Sequence, residues 1–101
     1  MRREEIIAKL RDHEAELRAA GVASLALIGS VARGDDDAGS DIDVVVRFAN
    51  DPPTGFAYFG RIDELSKRLQ SVLGRSVDVI AEPVGNERLR AAIEKDRTVA
   101  F

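Results

Sequence analysis

Two apolar runs rich in strand-forming residues, 23–28 (ASLALI) and 42–48 (IDVVVRF), dominate the first half of this chain. The segment between them, 29–40, is shorter than the helical crossover a parallel pair usually needs, so an antiparallel pairing is expected, with at most one helical turn between the strands. The second run opens on two aspartates, Asp41 and Asp43, just after a loop that already holds Asp35, Asp36 and Asp37. Aspartate is depleted in strands, so this placement asks for a chemical reason.

The rest of the chain frames these two strands. Ile6, Ile7, Leu10, Leu17 and Ala20 recur at helical spacing and Gly21 follows, which predicts one helix over 3–20. His13, the only histidine, lies among charges and is assigned no role. After a turn-rich stretch with Pro52, Pro53 and Gly55, the residues Phe56, Phe59, Ile62, Leu65, Leu69 and Leu73 mark one face of a second helix that ends at Gly74. A third strand follows over 77–81. Strand, helix and strand of this length imply a parallel, right-handed crossover. Asn86 offers an N-cap for a short helix carrying Leu89 and Ile93, and 98–101 reads as an edge strand. The expected fold is therefore α/β (α+β), a small mixed sheet of three to four strands flanked by helices. At 101 residues and 45% hydrophobic content, it forms a single domain over 1–101.

Composition narrows the function classes. With no cysteine there is no disulfide framework, thiolate metal site or cysteine nucleophile, and a reducing compartment is the natural expectation. The N-terminal MRREEIIAKL interrupts every apolar pair with charges, so neither a secretory signal nor a membrane span is expected, and a cytoplasmic location is. The net charge of -3, with basic residues scattered among acidic ones, argues against direct nucleic-acid binding. The densest acidic cluster lies between Asp35 and Asp43, and chemistry is sought there.

Side chains alternate along a strand, so Asp41 and Asp43 share one face while Ile42 enters the core, with the two carboxylates roughly 7 Å apart along the backbone. A hard divalent cation such as Mg2+ relieves their repulsion and keeps coordination positions for phosphate oxygens. If the second and third strands are parallel, Asp78 in VDVI joins them at the same edge. Gly29 and Ser30, ending the first strand, arrive there too and suit a phosphate, and Arg33 adds complementary charge. Each feature alone is commonly structural: a turn glycine, a solvated loop, a surface salt bridge. A calcium loop fails, since counting an EF-hand from Asp35 puts Val46 where its last ligand belongs. Together, in this order, the features describe a metal-dependent phosphoryl or nucleotidyl transfer site.

The combination of Gly29-Ser30, Ala32-Arg33-Gly34 and Ser40-Asp41-Ile42-Asp43 resembles the nucleotidyltransferase superfamily with the polymerase-beta-like fold. Its size resembles the minimal nucleotidyltransferases, the MntA-type antitoxins encoded beside HEPN-domain toxins. The resemblance implies that Asp41, Asp43 and Asp78 are catalytic and bind magnesium, two ions in all, and that Gly29, Ser30, Arg33 and Ser40 bind ATP. It leaves open that Arg33 instead braces the loop through a carboxylate such as Asp35. The implied reaction moves AMP from ATP to a tyrosine hydroxyl of a HEPN ribonuclease toxin, neutralising it. A binding-only antitoxin and a small-molecule, antibiotic-type nucleotidyltransferase stand as alternatives.

Overall fold

The computed structural model describes residues 2–34, 41–49, 56–82 and 84–101. Its N-terminal helical stretch is not one helix over 3–20 but two, α1 (Arg3–Asp12) and α2 (Glu14–Ala19). Ile6, Leu10 and Leu17 are fully buried. The stripe position between Leu10 and Leu17 is taken by His13, whose ring Nδ1 stands 2.9 Å from the Lys9 carbonyl and donates to it. A polar ring on the apolar stripe bonds locally rather than burying, and the helix breaks there.

Strand β1 (Val22–Ile28) runs to the short helix α3 (Gly29–Arg33), and β2 (Ile42–Phe48) returns antiparallel to β1. The long helix α4 (Phe56–Leu73) then carries the chain to β3 (Val77–Ala81), parallel to β2. Helix α5 (Glu87–Asp96) starts at Asn86, whose side-chain oxygen accepts from the Leu89 amide at 3.0 Å, and leads to β4 (Thr98–Val99) on the free side of β1. The sheet order is β3-β2-β1-β4. The expected edge strand over 98–101 forms ladder pairs only at Thr98 and Val99, though Ala100 still donates to the Leu25 carbonyl at 2.9 Å.

Period-two alternation divides the sheet into two faces. Leu25, Leu27, Ile42, Val44, Val46 and Val77 point to the side covered by α1, α2 and α4, where Leu65, Leu69 and Leu73 complete the main core. Ala26, Ile28 and Val45 point to the other side and, among the described residues, form a smaller cluster with Ile93 of α5, with Ile80 and Val84 at the margin. Every buried residue among those described is apolar. Phe59, expected on the apolar face of α4, is 68% exposed. Tyr58 lies seven positions before Leu65 and so falls on the stripe, while Phe59 is turned about 100° from it. The two rings meet edge to face at 5.7 Å. Among the described residues no helix is long and apolar enough to cross a membrane.

Candidate active site

The sheet register sets the site. Ile28 of β1 pairs with Asp43 of β2, and Asp43 with Asp78 of β3, so the two aspartates stand side by side on neighbouring strands. Adjacent strands lie about 4.8 Å apart. Asp43 and Asp78 are on the face opposite the main core, because Ile42, Val44 and Val77 are committed to that core. Asp41 immediately precedes the strand, and the Ile42 amide between the two acids is tied to the Ser76 carbonyl at 2.9 Å. Asp41 and Asp78 are exposed and Asp43 is half-buried.

This arrangement loads charge onto Asp43. Burial pushes its carboxyl above the usual aspartate range; the negative fields of Asp78 and Asp41 push in the same direction, and Arg33 pulls back. Gly29, the first residue of α3, packs directly on that carboxylate. Its φ is +70°, and a Cβ built there would come within 2.7 Å of Asp43 Oδ2. Glycine is therefore required at this position twice over, for its backbone conformation and for the closeness of the acid. Ser30 follows in the same first turn, half-buried.

Arg33, at the other end of α3, reaches Asp96 at the end of α5, with Nη1 2.8 Å from Oδ2. The expected brace through Asp35 lies outside the described residues, as does Ser40. Among the described residues, Arg33 pairs with a carboxylate 63 positions further along the chain. Asp96 was not singled out from the sequence, and no local spacing signals it.

Between the acidic edge and α5 lies an open cleft of about 320 Å3. Gly29, Arg33 and Asp43 border it on one side and Asp96 on another, while Ile80, Leu89, Ala92 and Ile93 supply its apolar wall. Leu89 and Ile93 read in the sequence as a plain helix stripe. Only Ile93 is buried, and Leu89 is left 39% exposed at the cleft.

The donor set at the edge is all carboxylate oxygen, which suits a hard cation of the magnesium type. Among the described residues no three or more acidic, histidine or cysteine side chains close into a metal cage. The aspartates thus offer an open edge rather than a finished site. Asp43 and Asp78 stand side by side on paired strands with Asp41 two residues before Asp43, so a cation would relieve the repulsion of like charges at this edge and keep most of its coordination for water and phosphate.

Comparison with known proteins agrees with this geometry. Residues 5–100 match the nucleotidyltransferase domain family. The "Putative protein adenylyltransferase MJ1379" of Methanocaldococcus jannaschii is 37% identical over 76 residues, covering 74% of this chain and 73% of the relative. A second protein of that organism, "Putative protein adenylyltransferase MJ1215", is 37% identical over 74 residues, covering 72% of this chain and 80% of the relative. Among solved structures, that of a "putative minimal nucleotidyltransferase" superposes with a TM-score of 0.77 at 26% identity, covering 97% of this chain and 95% of its own. A chain from the crystal structure of a toxin-antitoxin with AMP-PNP superposes with a TM-score of 0.68 at 25% identity, covering 100% of this chain and 73% of its own. With a mixed four-stranded sheet, a glycine packed on a strand-opening aspartate and a family match along nearly its whole length, the chain belongs to the nucleotidyltransferase family and has the polymerase-beta-like fold of its minimal members.

Proposed function

We propose that this nucleotidyltransferase is a magnesium-dependent antitoxin that transfers AMP from ATP to a tyrosine hydroxyl of a HEPN-domain ribonuclease toxin, in the cytoplasm. The observation that carries the reading is the position of Asp43, wedged between Gly29 and Asp78 with its carboxyl pushed up by burial and by its acidic neighbours. Support for a protein acceptor comes from the relatives described as protein adenylyltransferases, and support for a toxin partner from the similar chain in a toxin-antitoxin with AMP-PNP.

In this reading the Gly29 and Ser30 backbone amides face the triphosphate, and Arg33 offsets its negative charge at the cleft mouth. Asp41, Asp43 and Asp78 would hold the divalent cations, which when bound supply Lewis-acid polarisation of the α-phosphate and charge neutralisation of the leaving group. Asp78, exposed on the outer strand, would accept the proton of an incoming hydroxyl. The hydroxyl oxygen forms a bond to the α-phosphorus, the bridging bond to the β-phosphate breaks, and pyrophosphate departs in line with the attack. The product is an AMP-tyrosine phosphodiester.

The test is intact-mass spectrometry of the HEPN partner after incubation with this chain, Mg2+ and ATP, beside the Asp41→Ala/Asp43→Ala variant. The expected result is a mass gain of one or more AMP units, lost by at least about 10³-fold in rate in the variant, as expected when charge-stabilising groups leave a transferase site. Neutralisation by both proteins without any gain would overturn the proposal in favour of steric blocking.

A further inference from the structure

The cleft beside Asp43 has a polar side and an apolar side, and the apolar side has no role in holding phosphate. Resting on the nucleotidyl-transfer reading above, we infer that this apolar side takes the nucleobase of the donor nucleotide and recognises it by burial of its ring faces, not by hydrogen bonds to its edge.

Three observations lead there. First, the cleft is continuous with Gly29, Arg33 and Asp43, so a nucleotide whose α-phosphate lies at Asp43 has its nucleoside within reach of Ile80, Leu89 and Ala92. Second, those walls offer few free hydrogen-bonding groups to a base. Ile80, Leu89, Ala92 and Ile93 present apolar side chains to the cleft, and Ala92 and Ile93 lie inside α5, where amides and carbonyls serve the helix. Asp96, the one polar side chain α5 contributes to the cleft, faces Arg33 at 2.8 Å. Third, Leu89 and Ala92 are exposed on a helix otherwise rich in charge, so apolar surface is left open where a flat ring would cover it.

The energetic consequence is specific. A site built to hydrogen-bond a substrate group rejects analogues lacking it by about 10⁴–10⁵-fold, whereas a hydrophobic pocket discriminates related groups by only about 10–200-fold. ATP and GTP should therefore be separated weakly. Filling the wall should evict every nucleoside, while leaving phosphate binding in place.

The experiment measures affinities of the full chain, with Mg2+, for the α,β-methylene analogues of ATP and GTP and for inorganic tripolyphosphate, by titration calorimetry. It compares the unaltered protein with Ala92→Phe and Leu89→Ala, both at exposed positions where folding is not at stake, as a melting curve will verify. The expected pattern is ATP and GTP analogues within about 200-fold of each other. Ala92→Phe should weaken both at least tenfold and leave tripolyphosphate unchanged, with Leu89→Ala weakening them less. Unchanged analogue affinity in both variants would place the base elsewhere, and a preference above about 10⁴-fold for one base would mean that its edge is read. Because no partner protein is present, the expected pattern here together with no AMP transfer to the HEPN protein would sink only the antitoxin reading.

Discussion

The two faces of the sheet are built from the same strands by the same alternation, yet they do opposite work. On one face, Leu27, Ile42, Val44 and Leu69 are completely buried beneath three helices. On the other, a single helix covers Ala26, Ile28 and Val45, and the uncovered end of that face carries Asp43 and Asp78. Stability is concentrated where the helices are, which lets the opposite face hold two neighbouring carboxylates whose repulsion works against folding. The comparison separates residues that should unfold the protein when changed from residues that should silence it while leaving it folded.

The largest break in that comparison is expected on the covered face. Leu69→Ala removes a side chain with no exposed surface and should cost about 2–5 kcal/mol, a large share of the stability of a domain this size, measured by urea unfolding. Ile93→Ala, in the smaller cluster beside an open cleft, should fall at the low end of that range. On the face that carries Asp43 and Asp78 the order is expected to reverse, with activity lost before stability. Gly29→Ala places a Cβ 2.7 Å from Asp43 Oδ2 at a φ of +70°. It should cost about 1–2 kcal/mol in backbone strain and reduce AMP transfer about 10²-fold through displacement of the acid, measured by initial rates beside a melting curve. Next in size, Arg33→Ala and Asp96→Ala should each lower transfer about tenfold, with the double variant no worse than either single one, as for two groups acting as a unit. Since the Arg33 side chain is 48% exposed, stability should change by less than about 1 kcal/mol.

These positions differ in how far the sequence alone exposes them. The D-x-D of β2, the antiparallel return and the alignment of Asp78 with Asp43 all follow from period-two alternation and segment length, which are local properties of the chain. Four features do not. The break at His13 depends on whether the apolar stripe can bury an imidazole, and the outward turn of Phe59 on which of two adjacent aromatics meets the sheet. The Arg33–Asp96 pair and the wall of the cleft depend on how α5 returns over the face that carries Asp43, a long-range packing outcome that no short motif encodes. The meeting of Asp43 and Asp78 at one edge of the sheet is therefore legible in the sequence, while the groups that hold Arg33 and shape the cleft are not.

The smallest expected effect sharpens the contrast most directly, because it asks whether the face that carries the aspartates opposes folding. Burial first, then Asp78 and Asp41, raise the Asp43 carboxyl above its unfolded value, with Arg33 opposing. A folded state that holds this proton more tightly than the unfolded chain is favoured at low pH. Stability from this group is thus fully present below the ordinary aspartate pKa, about 3.9, and is lost as pH rises through the raised folded value. Above that value the charged acid is a standing cost. Asp43→Asn cannot ionise, so without divalent cation it should show a flatter stability profile across this window and be at least as stable as the unaltered protein at pH 7. Urea unfolding at several pH values, with and without Mg2+, checks this. Mg2+ should raise the midpoint of the unaltered protein and leave that of Asp43→Asn nearly unmoved, since a cation bound by the folded edge adds stability only where the carboxylate is there to hold it. A steeper profile in Asp43→Asn would mean that the fold does not raise the Asp43 carboxyl, and equal Mg2+ shifts in both proteins would mean that the cation is not held by Asp43.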